Sequence, residues 1–263
     1  MAYEDIELNL SAGVATLILN RPASLNALRT QTLEELLDAL DRVRDGGDVR
    51  TLLITGAGRA FCSGADLSSS KTARSDAPVD GGLVVERCYS PIVERLFALP
   101  FPVVAAVNGV AAGAGCSLAL CADFVVAARS ASFLLAFAKV GLVPDAGITW
   151  LLPRTIGRAR ALRMMMLGER IGAEQALEWG LIHEVVADDE MLASARALAE
   201  QLAAGPTLAL SLMRQGVRAA LDQSLSETLH AEREAQRRAS GSLDVREGVR
   251  AFLEKRPPAF QGR

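Results

Sequence analysis

Two spacings of apolar residues alternate along the first two thirds of the chain. Val14–Leu19 and Val49–Thr55 are short, β-branched apolar runs, which predict buried strands. Between them, leucines recur at the three- and four-residue spacing of a helix, at Leu33, Leu36, Leu37 and Leu40. This order of strand, helix and strand predicts a layered α/β fold.

The same pattern returns further along the chain. Val103–Val107 and Phe124–Ala128 are predicted strands, and Leu118 and Leu120 mark a helix between them. Residues 96–122 carry no formal charge, and by length alone they would suit a membrane span. The prolines and glycines inside this stretch indicate instead a buried strand, a turn and a short helix.

The last seventy residues show the helical spacing alone. Pro206 suits the first turn of a helix, and Asp244-x-x-Glu247 resembles a capping box. We therefore expect residues 1–190 to form the α/β core and residues 191–263 to form a helical region.

The charges argue against nucleic acid as a partner. The 263 residues contain 28 Lys and Arg against 31 Asp and Glu, a net charge of −3, and no dense basic run. Such a balance provides no electrostatic footprint for a polyanion.

The stretch Ser68–Pro78 is rich in small polar residues and breakers, so we expect a mobile loop there.

The four cysteines predict neither a disulfide framework nor a zinc site. They form no C-x-x-C pair, and the chain has only two histidines, His183 and His230. The first ten residues are acidic and do not resemble a secretory signal. We therefore expect free thiols, a cytoplasmic protein and no bound metal.

Two glycine-rich turns that follow predicted strands are the first candidates for chemistry. Gly58–Leu67 follows Val49–Thr55, and Asn108–Ser117 follows Val103–Val107. Small residues let a ligand approach backbone N–H groups, and two converging N–H groups would stabilise an oxyanion that develops on a carbonyl. Glycines at these places would equally serve tight packing of strands against helices. No nucleophile elbow, P-loop or dinucleotide fingerprint is present in the sequence.

Asp145 is the third candidate, and two roles are open for it. It follows a proline and precedes a predicted helix, so it would suit the N-cap of that helix. Its surroundings in Gly141–Leu151 are mostly apolar, including Leu142, Val143, Ile148 and Trp150. Such surroundings would raise the pKa of the carboxyl group toward the range of a general base.

In their order and spacing, these segments resemble the enoyl-CoA hydratase/isomerase (crotonase) superfamily nearly from end to end. The resemblance implies an α/β spiral of repeated ββα turns, followed by a helical region that builds trimers or dimers of trimers. It also implies an acyl-CoA thioester as substrate, with no metal or redox cofactor. The matching pieces are Leu19–Leu28, Gly58–Leu67, Ala105–Leu118, Pro144–Pro153, Trp179–Leu181 and Glu247–Phe260.

The family holds the thioester oxygen between two backbone N–H groups, and the resemblance places these donors at Ala65 and Ala114. Lys255 and Phe260 match a C-terminal pair that reaches the CoA of a neighbouring subunit, although a solvated lysine and a packing phenylalanine would match equally well. The resemblance assigns binding of CoA or acyl group to Ser24, Leu25, Ala27, Ser63, Gly64, Ala65, Asp66, Leu67 and Gly113. The apolar members of this set would also fit a hydrophobic core.

Two positions depart from the hydratases of the family. Ser117 and Phe137 stand where hydratases carry the two glutamates that activate water, and neither side chain replaces a glutamate in that chemistry. Asp145 falls where some isomerases and the aryl-CoA dehalogenases of the family place a functional aspartate. The resemblance therefore implies relocation of a proton by one carboxylate, or attack by that carboxylate on an electrophilic ring.

Five segments carry a finer resemblance, Ser90–Leu99, Asn108–Leu120, Ala127–Ser130, Leu142–Arg154 and Ala176–Gly180. Within the superfamily, they are most similar to bacterial ring 1,2-epoxyphenylacetyl-CoA isomerases of phenylacetate breakdown. This similarity implies an isomerase in which Asp145 is the acid–base group. Two alternatives stay open from the sequence. One is an enoyl-CoA hydratase or double-bond isomerase of fatty-acid oxidation, and the other is a CoA-binding partner subunit without turnover.

Overall fold

The computed structural model describes residues 3–69 and 80–263. From residue 70 onward, the predicted loop Ser68–Pro78 lies outside the described residues. The described chain forms two β-sheets that share one hydrophobic core with the surrounding helices.

Strands of the described residues fall into a large and a small sheet. The large sheet has the order β1 (Ile6–Ser11), β2 (Val14–Leu19), β3 (Thr51–Gly56), β5 (Val103–Val107), β7 (Phe124–Ala128) and β10 (Glu184–Val186). The small sheet has the order β4 (Ala60–Cys62), β6 (Val110–Ala112), β8 (Ser132–Leu134) and β9 (Arg170–Gly172).

The chain winds through both sheets as a spiral. β3, β5 and β7 lie side by side and parallel in the large sheet, and each leads directly to a strand of the small sheet, β4, β6 or β8. Every residue of β3 and β5 is buried, which explains why these strands are apolar without alternation. The expected α/β spiral of ββα turns is confirmed.

Helices follow the strands along the chain and make up its C-terminal part. Their bounds are α1 (Thr30–Asp45), α2 (Gly82–Val84), α3 (Ser90–Ala98), α4 (Ala114–Leu120), α5 (Ile148–Leu167), α6 (Ala173–Glu178), α7 (Met191–Ala204), α8 (Thr207–Ala220), α9 (Leu225–Ser240) and α10 (Leu243–Glu254). A π-helical turn, Val85–Tyr89, joins α2 to α3. Leu33, Leu36 and Leu40 of α1 are buried, as their spacing predicts.

The capping box predicted at Asp244 and Glu247 is wrong. α10 is capped by Ser242, whose hydroxyl accepts a hydrogen bond from Val245 N at 3.2 Å. The Asp244 carboxylate instead accepts from the N–H groups of residues 261 and 262, and Glu247 pairs with Arg256 at 2.6 Å. Both carboxylates therefore hold the last residues of the chain against α10.

The C-terminal helices pack against the spiral and form hydrogen bonds with it. Met191, Ala195 and Ala199 of α7 are buried in the same core as the strands. The buried Arg214 of α8 donates to the Asp123 carboxylate at 2.5 Å, and also to the carbonyl groups that end α3. The division of the chain at residue 190 stays a prediction, because the hydrophobic core continues across it.

No described helix is both long and apolar enough to cross a membrane.

All four cysteines are free thiols. Burial raises the pKa of Cys62, Cys116 and Cys121 to about 12, so these thiols stay protonated and poorly reactive at neutral pH.

Candidate functional site

The two glycine-rich turns lie against each other where β4 and β6 end. A Cβ atom at Gly64 would stand 2.8 Å from Ala112 O and 3.6 Å from Ala114 N. Gly64 and Gly113 also have positive φ angles, +93° and +52°, which side chains disfavour. Both glycines are therefore required for the close approach of the turns.

The N–H groups of Ala65 and Ala114 have no hydrogen-bond acceptor within residues 3–69 and 80–263. The neighbouring N–H groups are used, since Asp66 N donates to Leu28 O at 2.9 Å and Gly113 N donates to a carbonyl of β8 at 2.8 Å. Ala114 begins α4, where the N–H group has no acceptor inside the helix. Two free donors thus stand on two touching turns, as the sequence predicts for an oxyanion site.

Packing also uses a glycine of the second turn, so the packing interpretation holds at that position, and the binding of a ligand by these turns stays a prediction. A Cβ atom at Gly115 would lie 2.5 Å from Cys62 O, so Gly115 lets α4 pack directly on the end of β4. This contact fixes the start of α4 beside the turn that carries Ala65.

The structure brings the two predicted CoA-binding stretches side by side. Ser63 N donates to Leu25 O at 2.9 Å, and the Ser63 hydroxyl donates to Ser24 O at 3.2 Å. Ser24 and Leu25 are half-buried, whereas the side chain of Ala27 is buried in the core. Ser24, Leu25 and Ser63 therefore border one surface, and Ala27 supports it from below.

Asp66 is held by neighbours rather than left free. Its carboxylate accepts from the Ser68 hydroxyl at 2.6 Å and from Arg21 at 3.0 Å, and these hydrogen bonds lower its pKa. Leu67 is 52% exposed. Contacts of Asp66 and Leu67 with CoA stay predictions.

Asp145 does not cap α5. The N-cap residue of that helix is Gly147, without a side-chain hydrogen bond, and Asp145 Oδ1 is buried without a donor in the described residues. Burial raises the pKa of Asp145 to about 6. Of its predicted apolar neighbours, Ile148 is fully buried, but Leu142 and Val143 are exposed and do not shield it.

Ser117 connects Asp145 to the oxyanion turns. It is fully buried, one helical turn after Ala114, and its hydroxyl lies 3.4 Å from the backbone carbonyl of Asp145. Phe137 stands on the other side, with its Cζ atom 3.9 Å from the place of a Cβ atom at Gly113. Ser117 and Phe137, the two positions where the resemblance places the glutamates of hydratases, therefore lie next to these turns.

Tyr89 belongs to the site, although it is absent from the residues that the sequence predicts for it. Burial raises the pKa of its phenol, and the negative charge of Asp145 raises it further. Its helical spacing with Val93 and Phe97 is the sequence signal that would have found it, since the three share one helix face.

Lys255 and Phe260 are not joined to these turns by any described contact. Lys255 is exposed at the end of α10. Phe260 packs on α10, 3.3 Å from the place of a Cβ atom at Gly248, and its carbonyl accepts from Arg50. Contact with the CoA of a neighbouring subunit stays a prediction for both.

His183 has a structural role. Its Nδ1 atom accepts a hydrogen bond from Val125 N at 3.1 Å, and burial lowers its pKa. The imidazole therefore stays neutral and helps to hold β7, so Asp145 is the acid–base candidate of this site.

Comparison with known proteins connects this geometry to a family. The model of the enoyl-CoA hydratase/isomerase family matches residues 9–263. The 1,2-epoxyphenylacetyl-CoA isomerase of Escherichia coli (strain K12) is 49% identical over 255 residues, which are 97% of each chain. A Rhodobacter capsulatus protein named as a probable enoyl-CoA hydratase is 46% identical over the whole length of both chains. A crystal structure named as an enoyl-CoA hydratase/isomerase, from Mycobacterium abscessus, superposes with a TM-score of 0.94 at 39% identity and covers 98% of this chain and 100% of that chain.

Proposed function

The chain belongs to the enoyl-CoA hydratase/isomerase family, and from this premise we propose that Asp145 moves a proton between two carbons of an acyl-CoA thioester. The N–H groups of Ala65 and Ala114 donate to the thioester oxygen during this step. The chain itself supplies all of these groups, so the reaction as proposed uses no metal or redox cofactor.

The proton transfer balances within the substrate. The Asp145 carboxylate removes a proton from the carbon next to the thioester, and the electron pair moves onto the thioester oxygen, where the two N–H groups stabilise the enolate. Asp145 then returns the same proton to the carbon two positions further along the acyl group. In an enoyl ester the double bond has then moved, and no atom is gained or lost. In the ring-epoxide ester, the bond between the two epoxide carbons opens first, and its electron pair joins those of the two ring double bonds to give three double bonds in a seven-membered ring. The same proton transfer then moves the double bond nearest the acyl chain.

The single observation that favours an isomerase over a hydratase is the isolation of Asp145. Its Oδ1 atom is buried without a donor, while Ser117 and Phe137 occupy the two hydratase positions that border the same site. One carboxylate is enough to carry a proton between two carbons, whereas the water activation of hydratases uses a pair.

The substrate we propose is a ring 1,2-epoxyphenylacetyl-CoA, whose product is the seven-membered oxepin thioester. The 49% identity to the Escherichia coli enzyme of that name supports this choice. A role in phenylacetate breakdown and a cytoplasmic location are part of the same proposal.

A substrate panel tests the proposal. The protein is incubated with 1,2-epoxyphenylacetyl-CoA, trans-3-hexenoyl-CoA and trans-2-hexenoyl-CoA, and products are followed by mass and ultraviolet spectrum. We expect the first two esters to isomerise with no change in mass. A gain of 18 mass units as the main reaction of the 2-enoyl ester would identify a hydratase instead.

We further propose a homotrimer or a dimer of trimers. Met213, Val217 and Leu221 of α8 are exposed, and Phe252 and Leu253 of α10 are 83% and 74% exposed. Apolar area of this kind on helices usually finds a protein partner. A groove of about 820 Å³ between α8 and α9 adds to this surface.

Light scattering checks the assembly. We expect a mass of three or six chains at micromolar concentration, and we expect Val217→Glu to lower it, because a charge on a buried apolar face disfavours association. Arg233→Gln on the charged α9 is the control with an equally large change in charge. A monomeric wild-type protein would contradict the proposed assembly.

The pKa of Asp145 predicts the pH dependence of catalysis. Because burial raises this pKa to about 6, the carboxylate is a base above that pH and is protonated below it. We expect kcat/KM to be level above about pH 7 and to fall roughly tenfold per pH unit well below 6, since kcat/KM reports the free enzyme. A fall in kcat/KM centred near pH 4 instead would show that the pKa of the catalytic carboxyl group is not raised.

A further inference from the structure

The face of α3 that begins with Tyr89 runs along the segment that carries Asp145. Tyr89, Val93 and Phe97 follow one another every four residues, so they share this face. Val93 Cγ1 lies 3.4 Å from the place of a Cβ atom at Gly147. One turn later, the ring of Phe97 meets the ring of Trp150 edge to face, 6.1 Å between centroids.

These two contacts advance in the same direction along both segments. Tyr89 lies one helical turn before Val93, and Asp145 lies two residues before Gly147. The same packing therefore directs Tyr89 toward the segment that carries Asp145. The effect of the Asp145 charge on the Tyr89 phenol agrees with this placement.

The phenol group of Tyr89 has no hydrogen-bond partner in the part of the chain that the structure describes. The residue is only 7% exposed, and its O–H group donates to no acceptor within the described residues. Its oxygen atom is nevertheless accessible to solvent, so it borders space that a ligand atom can occupy. The phenol stays protonated at working pH because its pKa is raised, so it is able to donate a hydrogen bond to an acceptor.

We propose that the Tyr89 O–H group donates a hydrogen bond to an oxygen atom that the acyl part of the substrate carries beyond the thioester. Plain enoyl chains have no such atom, whereas an epoxide, an oxepin ring or a ring hydroxyl does. Tyr89 then selects oxygenated acyl groups, because a site built around a hydrogen bond discriminates strongly against a ligand that lacks the partner atom. This inference deepens the proposed function and rests on it.

The kinetic test compares Tyr89→Phe with the wild type on two esters, 1,2-epoxyphenylacetyl-CoA and trans-3-hexenoyl-CoA. We expect the loss of kcat/KM on the epoxide ester to exceed the loss on the enoyl ester by roughly 10- to 100-fold, the range for one buried hydrogen bond. Tyr3→Phe is the matched control, since the second tyrosine donates to Asp38 at the surface. Equal losses on both esters would overturn the inference.

A binding test separates this inference from the proposed reaction. Dissociation constants are measured by calorimetry for phenylacetyl-CoA and 2-hydroxyphenylacetyl-CoA, which differ by one ring oxygen. We expect wild type to prefer the hydroxylated ester by roughly tenfold and Tyr89→Phe to lose that preference. If wild type shows the preference but converts no epoxide ester, the proposed reaction fails and the role of Tyr89 stands. If wild type shows no preference, or Tyr89→Phe keeps it, the role of Tyr89 is wrong.

Discussion

Asp145→Asn is expected to lower kcat by roughly 100- to 10,000-fold on the ester that the wild type converts fastest, the usual span for loss of an acid–base group. Asparagine keeps the size of the side chain but cannot take up a proton. The hydroxyl of Ser117 contacts the backbone carbonyl of Asp145, which the substitution leaves in place. Since α5 is capped at Gly147, the change also removes no helix cap.

Stability provides the control for this variant. Burial raises the pKa of Asp145 from 3.8 to about 6, so above pH 6 the native state holds a charge that the unfolded chain accommodates better. Native stability associated with this group therefore grows as pH falls from 6 toward 3.8, and asparagine removes the cost above pH 6. We expect Tm of the variant at pH 8 to equal or exceed that of wild type.

The two measurements together distinguish the roles of Asp145. A folded variant that binds substrate but turns over slowly supports the acid–base role. If the variant keeps activity within about tenfold of wild type, the loss is smaller than that expected for an acid–base group, and another group must transfer the proton. A lower Tm together with full activity would indicate a purely structural aspartate.

The second large effect is expected from proline at either oxyanion donor. Ala65→Pro and Ala114→Pro each remove one N–H group, and we expect kcat to fall by roughly 100- to 1000-fold for each. Neither N–H group has an acceptor in the described protein, so the substitution breaks no internal hydrogen bond. Ala114 is also the first residue of α4, a position where proline is well tolerated.

Ala65→Gly and Ala114→Gly are the matched controls, because they change the side chain and keep the N–H group. We expect both to retain most of the activity, and circular dichroism establishes that all four variants fold. If Ala114→Pro folds and is as active as Ala114→Gly, the N–H group of Ala114 is not an oxyanion donor.

Elements with a strong local pattern could be predicted from the sequence. β5 and β7 match their predicted bounds because both are continuous apolar runs buried on both faces. The strand expected at Val49–Thr55 begins instead at Thr51, because its neighbour β2 begins at Val14, which pairs with Thr51.

Tertiary contacts decided the features that local patterns could not. Asp244 fits a capping box by spacing, but its carboxylate is used by the end of the chain, which no nearby residue reveals. Asp145 suits a cap and a base equally well in sequence, and only its buried, unpartnered oxygen separates the two. Tyr89 lies 56 positions before Asp145, so its place in the site depends on how α3 packs.

Helix α8 has an inner side that contacts the rest of the fold and an outer side that is exposed. On its inner side, α8 places Arg218 over the ring of Phe97 at 4.0 Å and hydrogen-bonds the carbonyl of that residue at 2.8 Å. Phe97 in turn supports Trp150, on the segment that follows Asp145. On its outer side, α8 exposes Val217. A change designed to alter the outer side of α8 therefore has to keep Arg218, because this arginine holds Phe97 and, through Phe97, the segment that follows Asp145.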